Sequence, residues 1–215
     1  IDFSAIQRAL AKYEGAGRRF DVKYEDNQFL VVDDYAHHPT EIRKTLNAAK
    51  ALNRKRIVAL FQPHRYTRTE ALMDQFGTSF GEADKLIVTD IYAASETPRP
   101  EITGVSVCRA IENSGHRDVV FVERARLNGY LRHQLEPGDL VIALGAGDIY
   151  QVVGQLSDFL KSARNGDGVK PSIFHWVRGR VLLNEPLSKH TTLKVGGPAE
   201  FWIEPDDSDD LKTAI

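Results

Sequence analysis

Two stretches of this chain gather side chains that can hold an anion or handle a proton. The first is Gln62-Pro63-His64-Arg65-Tyr66-Thr67-Arg68. On a loop entering a helix, positions three apart share a face, so Arg65 and Arg68 can present two guanidinium forks to one anion, and a small carboxylate fits. The competing reading is a solvated basic turn whose arginines pair with Glu70 or Asp74. The second stretch is Asp33-Asp34-Tyr35-Ala36-His37-His38. His and Asp are metal ligands, yet the spacing matches no closed zinc pattern, and no metal site is assigned. Asp34 can instead accept from ribose hydroxyls while Tyr35 offers a ring to a base, and His38 is placed to cap a helix. Gly145-Ala146-Gly147 has the look of a phosphate loop, but position 150 is Tyr where a dinucleotide fingerprint requires Gly. No Gly-x-x-x-x-Gly-Lys-Ser/Thr occurs, so the chain carries no P-loop of its own.

The pattern around these residues says what positions them. Phe20, Val22 and Tyr24 alternate, Glu25-Asp26-Asn27 turns, and Phe29 to Val32 runs apolar, which reads as an opening hairpin. Pro39 suits a first helical position, and Ile42, Leu46, Ala49 and Leu52 follow as one apolar stripe. Short apolar runs at Ile57–Phe61, Leu86–Val88, Val119–Val122 and Leu140–Leu144 read as buried strands. Between them lie helices carrying Leu72, Phe76 and Phe80, then Val105 to Asn113, then Arg124 to Gln134, with a last helix through Ile149, Val152, Val153 and Leu156. Strands of this kind alternating with helices require a parallel sheet covered on both faces, so the fold class is α/β, doubly wound and mostly parallel. In such a sheet ligands sit outside the carboxyl ends of the strands, where Asp33 to His38, Gln62 to Arg68, Asp90 to Tyr92 and Gly145 to Asp148 all fall.

Composition narrows the function classes. The 28 Lys and Arg against 30 Asp and Glu give a net charge of -2, so no global cation collects nucleic acid or anionic lipid. The single cysteine, Cys108, cannot form an intrachain disulfide, and no apolar run long enough to span a membrane appears, which makes the cytoplasm the default compartment. The chain opens on Ile1 rather than Met and stops at Ile215 inside what reads as a young helix, so a segment of a longer protein is expected. A break near Ala163 to Ser172 offers turn formers and no apolar period. About forty residues follow it, too few to close a core of that kind unaided.

Asp33 to Glu41, Phe61 to Thr69 and Gly145 to Ile149 together resemble the C-terminal domain of the Mur ligases, and Gln-Pro-His-Arg-x-x-Arg points to the branch that joins L-alanine to UDP-N-acetylmuramate. The resemblance implies a Rossmann-like domain over residues 14–163, preceded at 1–13 by the tail of an ATPase domain and followed by a linker at 164–172. Residues 187–201, Leu-Ser-Lys-His-Thr-Thr-Leu-Lys-Val-Gly-Gly-Pro-Ala-Glu-Phe, are similar to the opening of the UDP-N-acetylenolpyruvoylglucosamine reductases. Residues 173–215 would then be the truncated, incomplete α+β start of an FAD-binding domain, and the parent a ligase-reductase fusion of peptidoglycan precursor synthesis. The implied chemistry is ATP-dependent amide formation through an acyl phosphate, in partnership with upstream ATPase and UDP-sugar domains. ATP and Mg2+ would serve the complete ligase, FAD and NADPH the complete reductase, and none would be held by this segment alone, which is expected to be inactive. By motif match Asp34 goes to the ribose, and Tyr35 and His37 to the nucleotide and alanine side. His64, Arg65 and Arg68 go to the alanine carboxylate and the reacting oxygens, with His37 joining them in catalysis. The alternative is a non-catalytic α/β module that holds an anion or nucleotide at the same strand ends.

Overall fold

The computed structural model describes residues 2–4, 6, 7, 17–165 and 180–214. Strands β1 (Asp21–Glu25) and β2 (Leu30–Asp34) form the expected antiparallel hairpin. Its turn is set by Asp26, whose Oδ1 accepts the amides of Gln28 at 2.8 Å and Phe29 at 2.6 Å. Strands β3 (Arg56–Phe61), β4 (Lys85–Val88), β5 (Val119–Phe121) and β6 (Asp139–Leu144) join it in the order β1-β2-β6-β3-β4-β5, with every pairing after the hairpin parallel.

Helices α1 (Pro39–Lys50), α2 (Tyr66–Ala71), α3 (Met73–Gly77), α4 (Gly104–Asn113), α5 (Leu127–Gln134) and α6 (Tyr150–Asn165) provide the crossovers and cover. Successive strand residues point to opposite faces, and each face has its own core. Val32, Phe61 and Ile142 pack with Ile42, Leu46, Phe76 and Ile111 from α1, α3 and α4. Val31, Leu60 and Val141 pack with Leu127, Leu131, Val152 and Leu156 from α5 and α6. The sheet is therefore doubly wound, as its continuous apolar strands require. At the amino-terminal edge the buried Asp139 is held by Arg56 through two bonds of 2.9 and 2.7 Å, which ties β6 to β3.

Two elements differ from the sequence pattern. The helix expected to carry Leu72, Phe76 and Phe80 is two short helices, because the chain leaves helical geometry at Leu72 (φ -112, ψ 11). Phe80 lies beyond α3 and is buried against Phe61 with ring centroids 5.0 Å apart. Leu52, assigned to the stripe of α1, lies past the C-cap Ala51 and is exposed.

After the main sheet, β7 (Arg180–Pro186) pairs antiparallel with β8 (Pro198–Glu204), and α7 (Ser208–Ala214) follows. Asp207 opens α7 by accepting the amides of Asp209 at 3.0 Å and Asp210 at 2.8 Å. This small antiparallel unit fits an incomplete second domain. Helix α6 runs through Asn165; the rest of the expected linker, Trp176, and most of residues 1–13 lie outside the described residues. No helix among the described residues is long and apolar enough to cross a membrane.

Candidate functional site

The loop after β2 is shaped by its two buried aspartates. Asp34 accepts the amide of Phe20 at 2.8 Å on one oxygen and that of Ala36 at 2.7 Å on the other. Both oxygens of the residue expected at the ribose thus hold main chain and fix the loop that carries Tyr35. Asp33, fully buried, receives the Nε of Arg18 at 2.8 Å. The same guanidinium donates to the carbonyls of Gly145 at 2.8 Å and Gly147 at 3.2 Å and lies over the rings of Tyr35 and Tyr150 at 5.2 and 4.7 Å. The glycine loop is therefore a junction filled by protein. Gln62 completes it, donating to Asp148 at 2.7 Å and accepting the amide of Ile149 at 3.1 Å. A Cβ on Gly147 would sit 2.4 Å from Gln62 Oε1 and 2.6 Å from Tyr92 Cγ, so only glycine permits this approach.

At the start of α1, His38 is the N-cap: its Nδ1 accepts the amide of Thr40 at 3.3 Å. Pro39 takes the first turn, and Glu41 reaches back to the amides of His37 and His38 at 3.2 and 3.3 Å, closing a capping box. Burial alone would raise the Glu41 carboxyl, but these amides, with His37 and Arg19 nearby, outweigh it and hold the group below the usual range. His37 Nδ1 lies 3.0 Å from the carbonyl of Tyr35. A carbonyl only accepts, so Nδ1 carries a proton.

The loop after β3 carries the third part. Arg65 has φ 67, a region that non-glycine residues occupy rarely. It is the N-cap of α2 and sits on the approach to the helix, rather than on its face with Arg68. Glu96 secures the first turn by accepting from the amide and hydroxyl of Thr67 at 3.0 and 2.7 Å. His64 lies between Tyr92, stacked at 5.6 Å and 11°, and His37 at 5.7 Å and 53°. Arg68 approaches His64 Nδ1 at 3.5 Å. Burial first, then the nearby Arg68, His37 and Arg65, against a smaller opposing effect of Glu96, push the His64 imidazole down to about 4, so it is neutral at pH 7; with Nδ1 facing the Arg68 donor, its proton is on Nε2. Neither Arg65 nor Arg68 forms an ion pair among the described residues, although the Arg65 charge acts on Glu96; of the two carboxylates a solvated turn would use, Glu70 is taken by Arg99 and Asp74 pairs with neither arginine.

Tyr35, His37, His64 and Arg68 thus meet at the carboxyl ends of β2 and β3, with Arg65 on the same loop. Sequence reasoning placed Gln62 and Tyr92 at strand ends but gave them no role, and left out Arg18. Arg18 acts across the chain and gives no local signal. No three His, Cys, Asp or Glu side chains converge as a cation site among the described residues, so these residues do not supply a magnesium cage. In the small sheet, Thr191 Oγ1 donates to the Val195 carbonyl at 2.8 Å and accepts its amide at 3.2 Å. A Cβ on Gly196 would meet Leu187 Cβ at 2.7 Å. Hydroxyl and glycine serve their own loop.

The model of the Mur ligase glutamate ligase domain matches residues 18–147. The UDP-N-acetylmuramate-L-alanine ligase of Anaeromyxobacter dehalogenans is 50% identical over 143 residues, covering 66% of this chain and 31% of that protein. The ligase of the same name from Syntrophotalea carbinolica is 46% identical over 162 residues, 75% of this chain and 35% of the relative. Among solved structures, the UDP-N-acetylmuramate-alanine ligase of Thermotoga maritima superposes with a TM-score of 0.59 at 29% identity, covering 76% of this chain and 34% of its own. A UDP-N-acetylmuramoyl-L-alanyl-D-glutamate-2,6-diaminopimelate ligase, at 22% identity and a TM-score of 0.54, shares the fold over 75% of this chain and 35% of its own. The chain spans about a third of the length of the curated relatives it matches.

Proposed function

The chain belongs to the Mur ligase family, and from that premise we propose that residues 14–163 are the C-terminal domain of a ligase joining L-alanine to UDP-N-acetylmuramate in peptidoglycan precursor synthesis. The observation that carries this reading is His64 set beside Arg65 and Arg68, neither of which forms an ion pair among the described residues, at the strand ends where a parallel sheet binds its ligand. Arg65 and Arg68 hold the carboxylate of alanine and steady the oxygens of the reacting carbonyl. His64 offers an N–H from Nε2 without adding a third positive charge. His37, its Nδ1 turned to the Tyr35 carbonyl, accepts through Nε2 from the alanine amine and keeps it nucleophilic. ATP supplies the phosphoryl group that activates the lactyl carboxylate, and the amine displaces phosphate from that mixed anhydride. Tyr35 stands on the nucleotide side through its ring, and Asp34 acts there by fixing Tyr35's loop.

This reading makes the domain one half of a site closed by upstream ATPase and UDP-sugar domains, which would bring the phosphate loop and Mg2+ ligands. Closing the halves aligns the amine and keeps water from the activated carboxyl. Residues 173–215 are proposed as the start of a reductase domain using FAD and NADPH, on the strength of the Leu187 to Phe201 motif and its β7-β8 hairpin. The test is phosphate release by the complete protein that contains this chain. Release should require both UDP-N-acetylmuramate and L-alanine. Release indifferent to alanine, or supported equally by acidic amino acids, would overturn the assignment.

A further inference from the structure

A row of four rings crosses the strand ends: Tyr35 meets His37 edge-on at 5.3 Å, His37 meets His64 at 5.7 Å, and His64 stacks on Tyr92 at 5.6 Å. The first three belong to the loops after β2 and β3. Tyr92 comes from the loop after β4, and it is fixed more firmly than a loop residue usually is. Its amide donates to the Pro63 carbonyl at 2.9 Å, and its carbonyl accepts the amide of Arg65 at 2.9 Å, making a parallel bridge between the two loops. Behind the ring Gly147 leaves room that any side chain would fill. The ring is therefore held by main-chain bonds on both sides of its own residue, in register with His64.

We propose that Tyr92 is a positioning residue of this site: its ring holds the His64 imidazole in the orientation that gives Arg68 an acceptor, and thereby aims the Arg68 guanidinium at the carboxylate of the incoming amino acid. This deepens the ligase reading and rests on it. The chain of cause is short. An aromatic face on His64 keeps water from one side of the imidazole; this burial disfavours the charged form, is the largest cause of the depressed His64 value, and opposes the attraction of a π face for a cation. A neutral His64 leaves Nδ1 as an acceptor for Arg68. With the wall gone, water reaches the ring and protonation becomes easier. A charged His64 then repels Arg68 and no longer accepts from it. The phenol oxygen is not needed for any of this: it makes no hydrogen bond to the described residues, so Phe should serve as well as Tyr.

The experiment has two arms. In the 215-residue chain, the His64 ring is titrated by NMR in the unchanged protein, in Tyr92→Phe and in Tyr92→Leu. The first two should titrate near about 4, and Tyr92→Leu should move toward the ordinary 6.5. In the complete ligase, Tyr92→Leu should raise the KM for L-alanine about tenfold with kcat and the KM for UDP-N-acetylmuramate little changed, and Tyr92→Phe should restore it. A folded Tyr92→Leu chain whose His64 titration does not move overturns the proposal. So does a Phe variant that behaves like Leu, or a Leu ligase with an unchanged alanine KM. If the titration moves as expected while the complete protein shows no alanine-dependent turnover, the Tyr92–His64 coupling stands and the ligase reading fails.

Discussion

Arg18 and Asp33 form an ion pair of 2.8 Å in which the carboxylate is fully buried and the guanidinium is a quarter exposed. The pair joins the segment before β1 to the end of β2, and through the Gly145 and Gly147 carbonyls it reaches the end of β6. The segment before β1, the end of β2 and the loop after β6 therefore share one cation.

The two partners should not be equivalent on mutation. Arg18→Met leaves a buried carboxylate without its partner, and removing one side of a buried pair costs about 3–5 kcal/mol. Asp33→Asn keeps a hydrogen-bond acceptor, and Arg18 retains its two carbonyls, so the loss should be smaller, about 1–2 kcal/mol. Urea unfolding midpoints of the two variants check the order; equal losses would show that the pair contributes little beyond packing.

His64 makes stability depend on acid. Its folded-state value, about 4, lies below the ordinary 6.5, so unfolding takes up a proton between those values. The contribution is complete above about pH 6.5 and is lost as the pH falls toward 4. With allowance for partial exposure it is on the order of 1 kcal/mol. A His64→Gln chain should therefore lose less stability than the unchanged chain between pH 7 and about 4. Parallel stability curves for the two would contradict the assignment of a depressed His64.

Gly147→Ala is a small change with a specific consequence. The new methyl meets Gln62 Oε1 and the Tyr92 ring well inside contact distance, and overpacking of this kind costs about 1–3 kcal/mol. Because Tyr92 must yield, the His64 resonance should shift together with the loss of stability. An alanine variant as stable as the unchanged chain would show that the loop relaxes freely.

How much of this was legible in the sequence follows from how local each cause is. The buried strands were legible because parallel strands covered on both sides are apolar throughout, as Leu60-Phe61 and Val141-Ile142 are. The cap at His38 was legible because Pro39 and Glu41 mark it within three residues. The break at Leu72 was not, since Leu72, Phe76 and Phe80 keep a helical spacing whether or not the helix continues, and it is Phe61 that draws Phe80 in from beyond α3. His37, His64 and Arg68 could be named from their places after strands. That Arg18 would bind Gly145 from 127 positions away, or that His37 would meet His64 across the sheet, depends on strand order, with β6 inserted between β2 and β3. No local pattern encodes that insertion.

The central claim is that Arg65 and Arg68 take the carboxylate of an incoming alanine. It is tested most directly by the kcat/KM for L-alanine of the complete ligase carrying Arg65→Ala or Arg68→Ala, with UDP-N-acetylmuramate saturating. Loss of a charge-assisted bond near the reaction should lower kcat/KM by about 2–4 kcal/mol, roughly thirtyfold to a thousandfold, chiefly through KM. Alanine kinetics unchanged in both variants would return the two arginines to a solvated turn and leave the site without its anion-binding half.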